Sequence, residues 1–274
     1  MDEQQSEKEK KNFKLDKAID FIFSDNPIKW LIPIIILGFF LRFIVSRNIS
    51  ALGDEMVHGP HAIGFLHSGL ISTFAQSPLW FYLTDLVFKI LGVTLFSTRF
   101  LSFFYGILTI ILVYFISTKI FNKKVGLISA FLLSISYYTI RYTLMEMDLS
   151  ALFFLCLAIY LFIDSTEKKK FPYLAAISIG VASLIKTLSL FFVPAFLIAF
   201  FLFRRDEKTK TNIKNLIYFG LLITLIFSPI IIHNYLWYHD SKMVDTYVAQ
   251  YFDIGNARQA YAGLLGYDSG FLYQ

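Results

Sequence analysis

Residues 168–205 read KKKFPYLAAISIGVASLIKTLSLFFVPAFLIAFFLFRR, and how this stretch folds decides the architecture. Between its basic ends lies an apolar run, 171–203, interrupted by a single charge, Lys186. As one helix the run would measure roughly 50 Å, too long for a hydrocarbon core of about 30 Å. Lys168, Lys169 and Lys170 precede it, and Arg204, Arg205, Lys208 and Lys210 follow it. Lys and Arg collect in cytoplasmic loops, so both clusters belong on one face and an even number of spans lies between them. The run is expected to fold as a hairpin turning near Lys186-Thr187-Leu188-Ser189, its short halves met by tilt or local thinning of the bilayer.

The same reasoning extends outward. The apolar stretch 125–163 lies between Lys119, Lys123 and Lys124 on one side and Lys168–Lys170 on the other, so two spans must turn where Arg141, Glu146 and Asp148 interrupt it. Upstream, Lys8, Lys10, Lys11, Lys14 and Lys17 stand among seven acids in the amino-terminal segment, and the lysines are what the topology rule counts. Runs 30–46 and 97–118 supply the even count provided that 78–92 does not cross. Asp85 and Lys89 stand four apart there, a polar stripe on an apolar body, which predicts an amphipathic helix in the membrane interface. A last run, 215–232, completes the map.

The expected fold is an all-α polytopic membrane protein with seven spans. Residues 1–29 form a cytoplasmic amino-terminal segment, 30–232 the membrane module, with an external loop at 47–96, and 233–274 an external carboxy-terminal segment.

Composition agrees. Hydrophobic residues make up 56% of the 274, aromatic residues 18% and charged residues only 16%, against about 25% charged in a typical soluble domain. Mean hydropathy is +0.60. A soluble enzyme, a disulfide scaffold and a disordered chain are all excluded. The one cysteine, Cys156, lies in an apolar stretch, so no internal disulfide forms. The net charge of +5 reads as a topology signal rather than as a sign of nucleic acid. No short apolar core followed by a small-residue cleavage site marks a signal peptide.

Polar features from distant parts of the chain then gather on the external side. They are Asp54-Glu55 in the first loop, the turn with Arg141, Glu146 and Asp148, Lys186 in the next turn, and a tail rich in Tyr and Trp that also carries Arg258. Ionisable residues within membrane segments are functional by default, although Lys186 at a helix end can also snorkel. His58, His61 and His67 share the loop with Asp54 and raise a divalent cation, but Pro60 breaks the helix between the first two and no motif fixes a third ligand. No cofactor is assigned. Asn48-Ile49-Ser50 fits a glycosylation sequon, a common tripeptide.

Several stretches in order resemble the polytopic glycosyltransferases of the GT-C class, which use lipid-phosphate sugars. The nearest groups are the dolichyl-phosphate-mannose–protein mannosyltransferases and the bacterial lipid A aminoarabinose transferases. Arg42 near the end of the first span precedes Gly53-Asp54-Glu55, as in that family. Gln76-Ser77-Pro78-Leu79-Trp80-Phe81-Tyr82 resembles its proline-led aromatic segment, and Thr98-Arg99-Phe100-Leu101-Ser102 its R-L-P-S stretch. Phe121-Asn122-Lys123-Lys124-Val125-Gly126-Leu127 is similar to its cytoplasmic L-F-G-R-R-V-G-L. Arg141 through Asp148 sits where the family places an acidic residue, and Leu184-Ile185-Lys186-Thr187 with Pro194 matches L-T-K…P. The resemblance covers about residues 30–200 and rests on the order and spacing of six pieces. Gln76 stands where the aminoarabinose transferases carry a basic residue, which disfavours their substrate. Family members run longer, so the chain is expected to be a minimal version or an amino-terminal module.

The resemblance implies a polyprenyl- or dolichyl-phosphate sugar as donor and a hydroxyl on a protein, lipid or glycan as acceptor. Transfer of the hexose or pentose would invert the anomeric centre on the external face. It implies Asp54 as the base with Glu55 in support. Lys186, Arg141 and Arg258 are the cations available to the departing phosphate. Glu146, with Asp148 as second choice, would orient hydroxyls, and Tyr82 would line the donor groove. The competing class is a non-catalytic membrane protein: a flippase, a transporter-like subunit or a truncated pseudo-enzyme. Transporters place ionisable groups near the midplane beside broken helices, whereas here the charges cluster at outer ends.

Overall fold

In the computed structural model, residues 27–51, 55, 58–60, 62–63, 78–144, 147–203 and 209–241 are described. Their long elements are α1 (Ile28–Asn48), α2 (Pro78–Leu91), α3 (Leu95–Ile120), α4 (Lys123–Ile135), α5 (Tyr137–Arg141) and α6 (Met147–Glu167). These continue as α7 (Tyr173–Ile185), a 3-10 turn (Thr187–Phe192), α8 (Val193–Phe203) and α9 (Thr209–Ser241). No strand occurs among the described residues. Among the described residues four helices are long and apolar enough to cross a membrane: Lys29–Asn48, Leu95–Ile120, Met147–Glu167 and Ile213–Leu236. The protein is an all-α polytopic membrane protein. Tyr173–Ile185 and Thr187–Leu202 are shorter apolar helices.

The stretch at 171–203 does fold back on itself. Phe200, near the end of α8, lies 6.5 Å ring to ring from Phe171, which precedes α7. Phe196 and Phe200 share a buried cluster with Ala175, Ala176 and Ile179 of α7, Phe162 of α6 and Phe219 of α9. Lys186 marks the turn. Its backbone is extended (φ −143°, ψ 112°), with its N–H bonded to Ala182 O and its carbonyl to Ser189 N, both at 2.9 Å.

Residue pairings separate the two ends of the bundle. At one end Lys119 of α3 reaches Asp164 at 2.9 Å and Glu167 at 2.8 Å on α6, and Lys168 pairs with Asp164 at 2.7 Å. Lys123 and Lys124 open α4 beside this knot. At the other end Leu101, Met147, Ala151 and Ile185 join Trp80, Phe81, Val87 and Phe88 of α2 in one core. The lysine-rich end and the α2 end are thus opposite ends of the same helices.

α2 is 14 residues, roughly 21 Å, and packs across the ends of α3 and α7. It presents Trp80, Phe81, Thr84, Asp85, Val87 and Phe88 inward and Tyr82, Leu86, Lys89 and Ile90 outward. The expected polar stripe is therefore split. Lys89 reaches across at 2.7 Å to Asp85, which is itself buried. Gly92, at φ +73°, stops the helix, because a left-handed residue is needed there and its N–H still reaches Phe88 O at 2.9 Å. Thr94 and Ser97 then start α3 with a reciprocal capping box.

The connection from α3 to α4 takes two residues, Phe121 and Asn122, and the Asn122 side chain accepts from the N–H groups of Lys124 and Val125, both at 3.0 Å. So tight a turn presses the helices together at Gly126, where a Cβ would fall on Thr118 Oγ1 and 2.9 Å from the Tyr114 carbonyl. The hydroxyl can rotate away but the carbonyl cannot. Gly126→Val is expected to cost on the order of 1–3 kcal/mol by overpacking. Thermal unfolding in detergent would register this as a lowered midpoint, and an unchanged midpoint would mean that the helices are not in this contact.

Candidate active site

Two buried arginines build the α2 end. Arg42 on α1 is fully buried. Its guanidinium donates to Gly38 O at 3.1 Å, Ser134 O at 3.0 Å, Leu133 O at 3.2 Å and Thr139 Oγ1 at 2.9 Å. Leu133 and Ser134 lie in the last turn of α4, where the helix ladder ends and a long 3.4 Å bond from the Ser136 N–H reaches Leu133 O from the cap. The cation therefore sits on the negative end of the α4 dipole and holds the break between α4 and α5.

Arg99, in the first turns of α3, is also fully buried. Nε donates to Glu55 Oε1 at 2.5 Å and Nη2 to Glu55 Oε2 at 2.6 Å, a two-point grip on the carboxylate. Nη1 donates to Ser46 O and Ile49 O, both at 2.8 Å, where α1 ends. One side chain thus joins the end of α1, the start of α3 and the loop between them. Asp54 lies outside the described residues, but it is the peptide neighbour of Glu55.

The second ion pair lies between the next turns. Lys186 Nζ donates to Asp148 Oδ1 at 2.6 Å and to Oδ2 at 2.7 Å. Asp148 stands in the first turn of α6, where the helix dipole favours a carboxylate. Arg99, Asp148 and Lys186 are close in sequence to Leu101, Met147 and Ile185, three members of one buried cluster, so both ion pairs border the same apolar floor. His58 is buried there too, its ring 6.3 Å from Trp80 and 6.0 Å from Phe81.

Of the residues singled out in the sequence, Glu55, Asp148 and Lys186 come together at this end, each in an ion pair. Arg141 ends the short α5 and is exposed. Tyr82 is exposed on the outer face of α2, turned away from the floor that Trp80 and Phe81 cover. Glu146, Arg258, His61, His67 and Gln76 lie outside the described residues, as does most of the aromatic tail. Among the described residues no group of three metal-ligating side chains occurs.

Arg99 entered the sequence reading only as part of a motif. One signal for it was available: an arginine inside an apolar helix must find buried acceptors, and Glu55 is an acid in the segment between α1 and α2, 44 residues upstream.

Chemically, this end offers a buried carboxylate, Glu55, held by Arg99, and an ammonium held at a helix break beside an apolar surface. Comparison with known proteins bears on what such an end does. Residues 75–233 match the family model described as dolichyl-phosphate-mannose-protein mannosyltransferase. The matched region contains Arg99, Arg141, Asp148 and Lys186, and Asp54 and Glu55 precede it. A curated protein of Aquifex aeolicus (strain VF5), named only as uncharacterized, is 28% identical over 247 residues, covering 85% of this chain and 47% of its own length. The chain thus spans about half the length of the curated relative it matches.

Proposed function

The chain belongs to the dolichyl-phosphate-mannose-protein mannosyltransferase family, a family of membrane glycosyltransferases, and from that premise we propose that it moves a sugar from a polyprenyl-phosphate carrier to an acceptor hydroxyl at the α2 end of its bundle. Asp54 takes the acceptor's proton as its oxygen attacks the anomeric carbon. The bond from that carbon to the phosphate oxygen breaks on the opposite face, its electron pair leaves with the polyprenyl phosphate, and the anomeric centre inverts. Lys186 stabilises the departing phosphate. Arg141 and Arg258 are the cations in reserve, Glu146 orients hydroxyls, and Tyr82 faces the lipid side where the carrier's tail lies.

The observation that carries this reading is the Arg99–Glu55 clamp, which ties the residue next to Asp54 to both α1 and α3. A base useful in a single geometry needs a backbone that does not wander, and a buried two-point ion pair supplies one.

The reading also places the α2 end outside. The lysine-rich end then faces the cytoplasm, as Lys and Arg do, with the amino terminus inside and seven crossings in all. The three crossings beyond the four long helices are α4 with α5, α7, and the 3-10 turn with α8. A cysteine at Lys124, exposed at the lysine-rich end, is expected to react with membrane-impermeant maleimide only after the cells are opened. Labelling in intact cells would invert the map.

The function itself is tested by mass spectrometry of glycolipids, glycoproteins and surface glycans from a deletion strain and its parent. Loss of one glycosyl residue from an extracytoplasmic acceptor is expected, and it would identify sugar and acceptor together. An unchanged profile would contradict the proposal.

A further inference from the structure

The ammonium assigned to the donor phosphate is already occupied. Both Asp148 oxygens lie on Lys186 Nζ at 2.6 and 2.7 Å. Neither group is deeply buried, the side chains being 19% exposed for Lys186 and 38% for Asp148. The two differ in what else holds them. Lys186 is pinned through its backbone, its N–H to Ala182 and its carbonyl to Ser189, so its side chain has one sector to sweep. Asp148 sits in the first turn of α6, where unpaired backbone N–H groups and the positive helix end stabilise a carboxylate with or without the lysine. Exchange of the lysine's anion therefore strands neither partner.

Resting on the reading of Lys186 as the phosphate site, we propose that Asp148 is the resting counter-ion of Lys186, displaced when the carrier's phosphate binds and returning to expel the spent carrier. No covalent bond changes in this step; one anion replaces another on the same ammonium. The charges set the direction. A sugar phosphodiester carries one negative charge, whereas the monoester left after transfer carries about −1.5 to −2 at neutral pH. Lys186 would hold that product more tightly than the donor and stall the enzyme. A carboxylate tethered within reach competes hardest at this point, because it also repels the product's added charge.

The role differs from the sugar-orienting one considered for Asp148 from the sequence, and it predicts the opposite sign. Were Asp148 a sugar ligand or a mere support for Lys186, removing its charge would weaken binding.

The test measures binding of a short-chain polyprenyl phosphate to the purified full chain in detergent, by competition with a fluorescent analogue. Asp148→Asn is expected to bind about two- to fivefold more tightly than the parent, the range that a partly exposed ion pair supplies. Asp148→Ser, which keeps a small polar side chain in the first turn of α6, should behave alike and guards against a folding defect of the first variant. Lys186→Gln should bind more weakly than the parent and abolish the gain when combined with Asp148→Asn. The gap between parent and Asp148→Asn should narrow at high salt and vanish for the uncharged polyprenol. Equal or weaker binding by folded Asp148→Asn and Asp148→Ser would overturn the proposal. A parent that binds the phosphate but releases none from a sugar donor would overturn the transferase reading alone, and loss of binding in every form would overturn both.

Discussion

Arg99→Ala is expected to destabilise the folded protein by about 3–5 kcal/mol, the penalty for leaving one member of a buried ion pair without the other. The substitution removes the two-point grip on the buried Glu55 carboxylate and strips the Ser46 and Ile49 carbonyls of the Arg99 donor. The end of α1 and the loop before α2 would both loosen. Yield of monodisperse protein after detergent extraction and the midpoint of thermal unfolding are the readouts. Arg99→Ala combined with Glu55→Leu should recover part of the stability, because the stranded charge is gone, but not transfer, because the loop next to Asp54 is no longer tied. An Arg99→Ala protein that melts like the parent would mean that the clamp is not what holds this end together.

Asp54→Asn is expected to lower sugar transfer by about 10²- to 10⁴-fold, the usual contribution of a positioned general base. The amide keeps the side chain's size but cannot take the acceptor proton. Yield and unfolding midpoint should stay at the parent's values, which separates this variant from Arg99→Ala. Donor binding should also persist, since the phosphate is assigned to Lys186 at the end of a different helix. Transfer at the parent's rate, at equal expression, would remove Asp54 from the role of base.

The parts of this architecture that follow from length and charge are legible in the sequence. The hairpin at 171–203 follows from a run too long to cross once between two basic clusters, and Phe200 lies against Phe171 accordingly. Counting spans between lysines sets 78–92 apart from the crossing helices, and α2 packs across the ends of α3 and α7. What a charge count does not reach is where each charge finds its partner. Arg42 caps carbonyls of Leu133 and Ser134, backbone groups that any residue would present, so no sequence pattern announces them. Their availability depends on the break at Ser136, which a continuous apolar stretch conceals. Asp85 misled for a related reason: its spacing from Lys89 fits an exposed stripe, yet packing of α2 against α3 and α7 buries one member and leaves the other outside.

The candidate site was legible as a set of residue types and less so as a set of pairs. Lys186 and Asp148 are each expected from the sequence to meet substrate, and in the fold they form an ion pair with each other. Thirty-eight residues separate them, and only the docking of α7 along α6 brings their ends together. Glu55 was cast as helper to Asp54, and its carboxylate is spent on Arg99. In both cases an acid and a base that looked available in the sequence satisfy one another in the fold. This is the expected result when charges must be taken out of water.

The most direct test is transfer by the purified parent protein reconstituted in liposomes, given a radiolabelled polyprenyl-phosphate sugar and a mixture of acceptor hydroxyls. Release of polyprenyl phosphate matched by label in an acceptor with inverted anomeric configuration is the predicted result. Folded parent protein that leaves the donor intact, with every acceptor and either membrane orientation, would contradict the account.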